Sequence, residues 1–183
     1  MLEPTLLFAS RPVRHRLTLC VSALLVAAPL TGYSASADLT GLAELPPAEL
    51  GAGTTQARSV QEGATNTSRI SQQQGTGSSA LIYQRGTRNV AEISQTGSNN
   101  QAAASQYGTG NQVDITQAGN NDMAIAIQAG TGNLADIQQL TNNASSLVGQ
   151  FGNWNQVQVQ QTTPGSSAPV LQFGDHRKLT VIR

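Results

Sequence analysis

Glutamine recurs along the chain at Gln61, Gln72, Gln84, Gln95, Gln106, Gln117, Gln128, Gln139, Gln150, Gln161 and Gln172. Every step is 11 residues except Gln72 to Gln84, which is 12. A fixed period restricts a chain to a stacked, quasi-one-dimensional array, since each unit buries its apolar side only against its neighbours. The extra residue falls in Gln72-Gln73-Gln74-Gly75, where a turn absorbs it as a bulge. Just past the repeat Gln stands Gly63, Gly75, Gly86, Gly97, Gly108, Gly119, Gly130, Gly152 or Gly174, with Thr141 and Thr163 the exceptions. A glycine there marks a tight return at a position that disfavours a Cβ.

Between turns the sequence alternates with period 2. Asn89, Ala91, Ile93 and Gln95 share one face, as do Asn111, Val113, Ile115 and Gln117, and Asn133, Ala135, Ile137 and Gln139. That is the period of a strand with these residues inward. Eleven residues also match three turns of a right-handed coiled coil. Regular glycine, frequent Asn and β-branched residues and scarce Leu, Lys and Glu oppose the helix.

Alternate half-repeats differ, so the unit is about 22 residues. First strands open at Thr55, Ser78, Asn100, Asp122, Ala144 and Ser166; second strands open at Asn66, Asn89, Asn111, Asn133, Asn155 and Arg177. The predicted fold is all-β: a cross-β solenoid of about six coils, two strands per coil, with units at 55–73, 78–95, 100–117, 122–139, 144–161 and 166–183. The turn after each first strand is assigned to Gly63, Gly86, Gly108, Gly130, Gly152 and Gly174.

The predicted interior is thin: Ala80, Ile82, Ala91, Ile93, Ala102, Ala104, Val113, Ile115, Ala124, Ala126, Val148, Val157 and Val159. Each buried Val or Ile contributes about 1.5 to 3 kcal/mol, so hydrogen bonding must supply much of the cohesion. Gln and Asn together number 32, all beyond residue 37. An isolated inward amide is costly, but identical amides one coil apart can pair in a continuous column. The expected first-strand ladder is Gln61, Gln84, Gln106, Gln128, Gln150 and Gln172. The second-strand ladders comprise Asn66, Asn89, Asn111, Asn133 and Asn155, with Gln95, Gln117, Gln139 and Gln161. Such columns hold a monomeric solenoid together equally well.

Residues 1–37 read as a secretory signal peptide: Arg11, Arg14 and Arg16 precede the apolar run Leu17 to Leu30, which leads to Ala35-Ser36-Ala37. The run is short for a membrane span. Cys20, the single cysteine, lies inside it, leaving no thiol, disulfide or cysteine metal site in the remainder. From Asp38 onward the 7 Lys and Arg against 9 Asp and Glu give 7 − 9 = −2, which disfavours a nucleic-acid partner. Residues 38–54, with Pro46 and Pro47 and no repeat, are expected to form a flexible N-terminal segment.

The pattern Ser78, Gln84, Gly86, Asn89, Ala91, Gln95 resembles the curlin repeat of bacterial curli, the extracellular functional amyloid fibres of biofilms. The likeness extends over residues 55–183. It implies export to the periplasm, passage through a dedicated outer-membrane pore with accessory factors, and assembly on the cell surface. It also implies two partners, the chain itself and a major fibre subunit. The chain is most similar to the minor, nucleating type, because its last unit is degenerate and basic: Arg177 replaces Asn, Arg183 replaces the closing Gln, and Lys178 adjoins Arg177. These three are expected to attach fibres to the envelope surface. A cationic gatekeeper against pairing at that end is the competing role. Pro169 is expected to take one donor out of the ladder there, and the two arginines to sit inward.

Other classes fit less well. Beyond the signal peptide there is one histidine, His176, and no convergent carboxylate pair, so no catalytic, cofactor or metal site is assigned. An ice-binding solenoid would need regular outward Thr rows, whereas the outward triplets are Val90-Glu92-Ser94, Gln112-Asp114-Thr116, Leu134-Asp136-Gln138 and Gln156-Gln158-Gln160. The major fibre subunit is the nearer alternative. Outward charges Arg69, Glu92, Asp114 and Asp136 are expected to solubilise one face, and Tyr107, Phe151 and Phe173 to stack at coil corners.

Overall fold

A computed structural model describes residues 55–183; the signal-peptide and leader assignments lie outside them. Twelve strands follow one another: β1 (Gln56–Ala64), β2 (Thr67–Gln73), β3 (Ser79–Thr87), β4 (Val90–Thr96), β5 (Gln101–Thr109), β6 (Gln112–Ala118), β7 (Met123–Thr131), β8 (Leu134–Gln139), β9 (Ser145–Asn153), β10 (Gln156–Gln161), β11 (Ser167–Phe173) and β12 (Lys178–Ile182). Odd strands form one six-stranded sheet and even strands another, each in chain order, so a strand pair makes one coil. All pairings are parallel and in register. The described residues are the predicted all-β solenoid of six coils.

The register locates the extra residue. Gln73 pairs with Thr96, and the Asn100 amide N–H meets Ser78 Oγ, so five steps in coil 1 face four in coil 2. Gln74, Gly75 and Gly77 all take positive φ there, at 51°, 149° and 74°. A kinked turn thus takes up the insertion and leaves both strands in phase.

Every interior residue named from the sequence is buried, joined by Ala135, Ile137, Ala168 and Val170. Coils of different composition fill the same thin space. Ala102 and Ala104 oppose Val113 and Ile115 in coil 3, whereas Ser146 and Val148 oppose Val157 and Val159 in coil 5. The Ile70, Ile93, Ile115, Ile137, Val159, Val181 column runs the length of the array.

Hydrogen bonding gives the stack a direction. Outward residues such as Ser79, Val90 and Met123 send their N–H groups to the following coil, at Asn100, Asn111 and Ala144 carbonyls. In a parallel ladder successive residues alternate sides, so inward residues turn theirs to the preceding coil. Pro169 is outward and exposed. Its missing N–H therefore belongs to the uncovered side of β11, and the β9–β11 ladder loses nothing, contrary to the expectation drawn from the sequence.

Candidate assembly interface

The repeat glutamines touch along the axis, always in the same sense. Gln61 Nε2 donates to Gln84 Oε1 at 2.6 Å, Gln84 to Gln106 at 2.8 Å, Gln106 to Gln128 at 3.0 Å, Gln128 to Gln150 at 2.8 Å and Gln150 to Gln172 at 3.0 Å. The second column runs from Gln72 to Gln95, Gln117, Gln139 and Gln161 at 2.7 to 2.9 Å. Each interior Gln sends another N–H across to the facing strand, as Gln106 does to the Val90 carbonyl at 2.9 Å. Both amide hydrogens and the oxygen are thereby used, which offsets the cost of burying the group.

Asparagines run the opposite way. Asn66 Oδ1 accepts from the Asn89 amide N–H at 3.0 Å and from its Nδ2 at 3.2 Å. The relation repeats through Asn111, Asn133 and Asn155. Nδ2 also reaches the turn carbonyl of the next coil, from Asn66 to Gly86 and onward to Gly174. These glycines, expected at turns, lie one residue before the ends of β3, β5 and β7, and they stack so closely that a Cβ on Gly86, Gly108 or Gly130 would collide with the glycine carbonyl one coil on. Gly63 and Gly152 stand in the same column, while Gly174, in the last coil, faces only the Arg177 side chain.

The columns end unlike one another. Among the described residues nothing donates to Gln61 Oε1 or Gln72 Oε1, and both side chains are partly or fully open. At the far end Arg177 gives its amide N–H to Asn155 Oδ1 at 3.1 Å but offers no side-chain acceptor. Gln161 turns its Nε2 onto Ser166, 3.0 Å from the carbonyl and 3.1 Å from Oγ, closing its column. Arg183 stays in the ladder through its main chain, donating to the Gln160 carbonyl at 2.9 Å. Arg177, Lys178 and Arg183 are all exposed. The two arginines occupy inward register positions, yet no coil covers them, so they face water and not the core.

One buried acid escaped the sequence reading. Asp122 directly precedes β7 on the column Ser78, Asn100, Asp122 and is only 1% exposed. Its Oδ1 accepts from the Ala144 N–H at 2.9 Å, but its Oδ2 is buried with no partner. The equivalent atom of Asn100 is an Nδ2 that donates to the Gly119 carbonyl at 2.9 Å. Burial raises the Asp122 pKa above the ordinary carboxylate value, opposed by the Ala144 N–H. The strand-opening position of Asp122, aligned with Asn100, was the available signal.

On the outer face Arg69, Glu92, Asp114 and Asp136 stack in register, with Arg69 3.7 Å from Glu92. Partial burial raises the Asp114 pKa, and Asp136 and Glu92 add to the shift. Phe151 and Phe173 stack at 5.2 Å; Tyr107 instead meets Tyr83, since Ala129 stands between it and Phe151. Among the described residues no three His, Cys, Asp or Glu side chains converge.

No curated protein and no solved structure matches the chain. The family model described as Curlin associated repeat matches residues 75–108, 86–119 and 108–140. Those stretches hold the Gln columns, the Asn column and the stacked glycines of the middle coils, and over them the chain is similar to the curlin associated repeat.

Proposed function

We propose that the chain is a nucleating subunit of extracellular curli-type fibres, templating a major curlin on one edge and holding the fibre to the cell with the other. The observation that carries this reading is the contrast between amide columns running in register through five coils and a closing coil that breaks them with Arg177 and Arg183. A solenoid whose edge strands stay unpaired offers a template for another chain. Leu171, Phe173, Leu179 and Ile182 are exposed beside Arg177, Lys178 and Arg183, a mixture of apolar and cationic groups that suits an anionic envelope surface. Export through the periplasm and an outer-membrane pore, with its accessory factors, belongs to the same reading.

The complete Gln–Asn–Gln set in five coils also favours a second reading, the major fibre subunit. A thioflavin time course separates them. As nucleator, the chain added in small proportion abolishes the lag of a partner curlin; an unchanged lag overturns the assignment. Removing residues 166–183 tests anchoring: fibres should form but be shed into the medium, and fibres retained on cells would refute it.

A further inference from the structure

The two edges differ in what a docking coil must bring. On the β1/β2 edge the N–H groups facing no neighbour among the described residues are those of inward residues, including Ala57, Ser59, Ser68 and Ile70, by the alternation already described. Gln61 Oε1 and Gln72 Oε1 lack donors among the described residues, and Asn66 lacks the preceding Oδ1 that every later Asn of its column receives. A coil joining there must therefore supply two amide donors and one amide acceptor. Coils 1 to 5 carry that set at fixed spacing, as Gln84, Asn89 and Gln95 do. The last coil offers Gln172, Arg177 and Arg183 instead, so a second copy cannot satisfy Asn66.

The β11/β12 edge is the poorer template. Pro169 deletes one of its outward-residue donors, the second Gln column is already closed on Ser166, and three cations flank the strand. An incoming Asn N–H would meet a guanidinium where it needs an oxygen.

We infer that growth is one-directional: the β1/β2 edge takes the closing coil of a different curlin-repeat chain that bears the full Gln–Asn–Gln set. This rests on the templating reading above. It adds which edge acts and why the occupant is not another copy.

The test uses a monomer pool of the Arg177→Asn/Arg183→Gln chain, whose last coil has the missing amides. Templates are the unaltered chain, an Ala57→Pro/Ser68→Pro form blocked on the β1/β2 edge, and a Ser167→Pro/Thr180→Pro form blocked on the other. Each proline removes an N–H that faces no neighbour among the described residues, and circular dichroism verifies that both forms remain β-structured. The unaltered and β11/β12-blocked templates should shorten the thioflavin lag of the pool about tenfold, and the β1/β2-blocked template should leave it unseeded. Should the Ala57→Pro/Ser68→Pro pair unfold its template, Gln61→Leu/Gln72→Leu replaces it as the β1/β2 block, with the same loss of seeding expected. Seeding lost on blocking β11/β12, or insensitive to both blocks, overturns the direction. Without template, the pool itself should show a shorter lag than the unaltered chain; equal lags overturn the claim that Arg177 and Arg183 exclude a second copy. If the unaltered chain seeds a partner curlin but not this pool, the assigned complement is wrong. If it seeds neither, the templating reading fails as well.

Discussion

Coil 1 and coil 6 are both terminal layers of the described array, and they keep opposite halves of the repeat. Coil 1 retains Gln61, Asn66 and Gln72 but keeps only Ala57 and Ile70 of its aliphatic interior. Ser59 and Ser68 stand where coil 2 has Ile82 and Ala91, hydrogen-bonded to each other at 2.6 Å. Coil 6 keeps Ala168 and Val170 buried and sets Leu179 and Val181 at inward register positions, Leu179 exposed, but replaces two of the three amides with arginines. Apolar surface is non-directional and attracts any apolar cover, whereas amides accept only a partner of matching donor order. The selective edge is thus the one with the poorer core.

That contrast can be broken most severely at the turns. Gly108→Ala places a Cβ against the Gly130 carbonyl at a φ of 113°, and should cost about 3 kcal/mol or more. Gly174→Ala, at a φ of 100° with nothing beyond its coil but Arg177, should cost only about 1 kcal/mol. Denaturation midpoints of the two variants compare them directly, and equal losses would refute turn stacking as the reason for glycine.

Next in size is the amide column. Gln106→Leu strands the donor of Gln84 and the acceptor of Gln128 inside the stack, and should destabilise by about 2 to 3 kcal/mol. Gln61→Leu interrupts the column where it is open to water and should cost less than about 1 kcal/mol. Urea titrations that fail to separate them would show the columns contribute nothing special to the interior.

Asp122 sharpens the comparison from the middle. A carboxyl whose pKa is raised by folding binds a proton that the unfolded chain releases. Its contribution is full below the unfolded value and is lost as pH rises through the folded one, so acidification stabilises the array. Asp122→Asn restores a donor at Oδ2 and should add about 1 to 2 kcal/mol at neutral pH, the gain shrinking as pH falls through the raised folded value toward the ordinary carboxylate value. Melting curves across that range check both sign and slope. The smallest effect is expected of Pro169→Val, within about 0.5 kcal/mol, because the donor it restores faces no strand; a larger gain would place the proline inside the ladder after all.

The coil count, strand alternation and apolar interior were legible because Gln, Gly and the period-2 pattern repeat nearly unchanged from Gln61 to Gln172. Positions that break the repeat were harder to read. The turn residue ahead of each second strand takes positive φ whether it is Thr65, Arg88, Trp154 or His176, a constraint hidden by four unrelated side chains. The effect of Pro169 depended on which side its missing N–H faced, and the exposure of Arg177 on what lay beyond it. Sequence alternation gives inward and outward, but not preceding and following.

The one-way handing of hydrogens from Gln61 toward Gln172 has a last consequence for symmetry. Turning one solenoid about so that two β1/β2 edges met would set oxygen against oxygen at the Gln61 and Gln72 positions. A self-complementary twofold dimer through that edge is thereby disfavoured, and a head-to-tail union stacked along the coil axis, which has no rotation to close it into a ring, is the arrangement the columns fit. If the proposed templating holds, the amides that keep each coil in place also set the polarity of what grows from them.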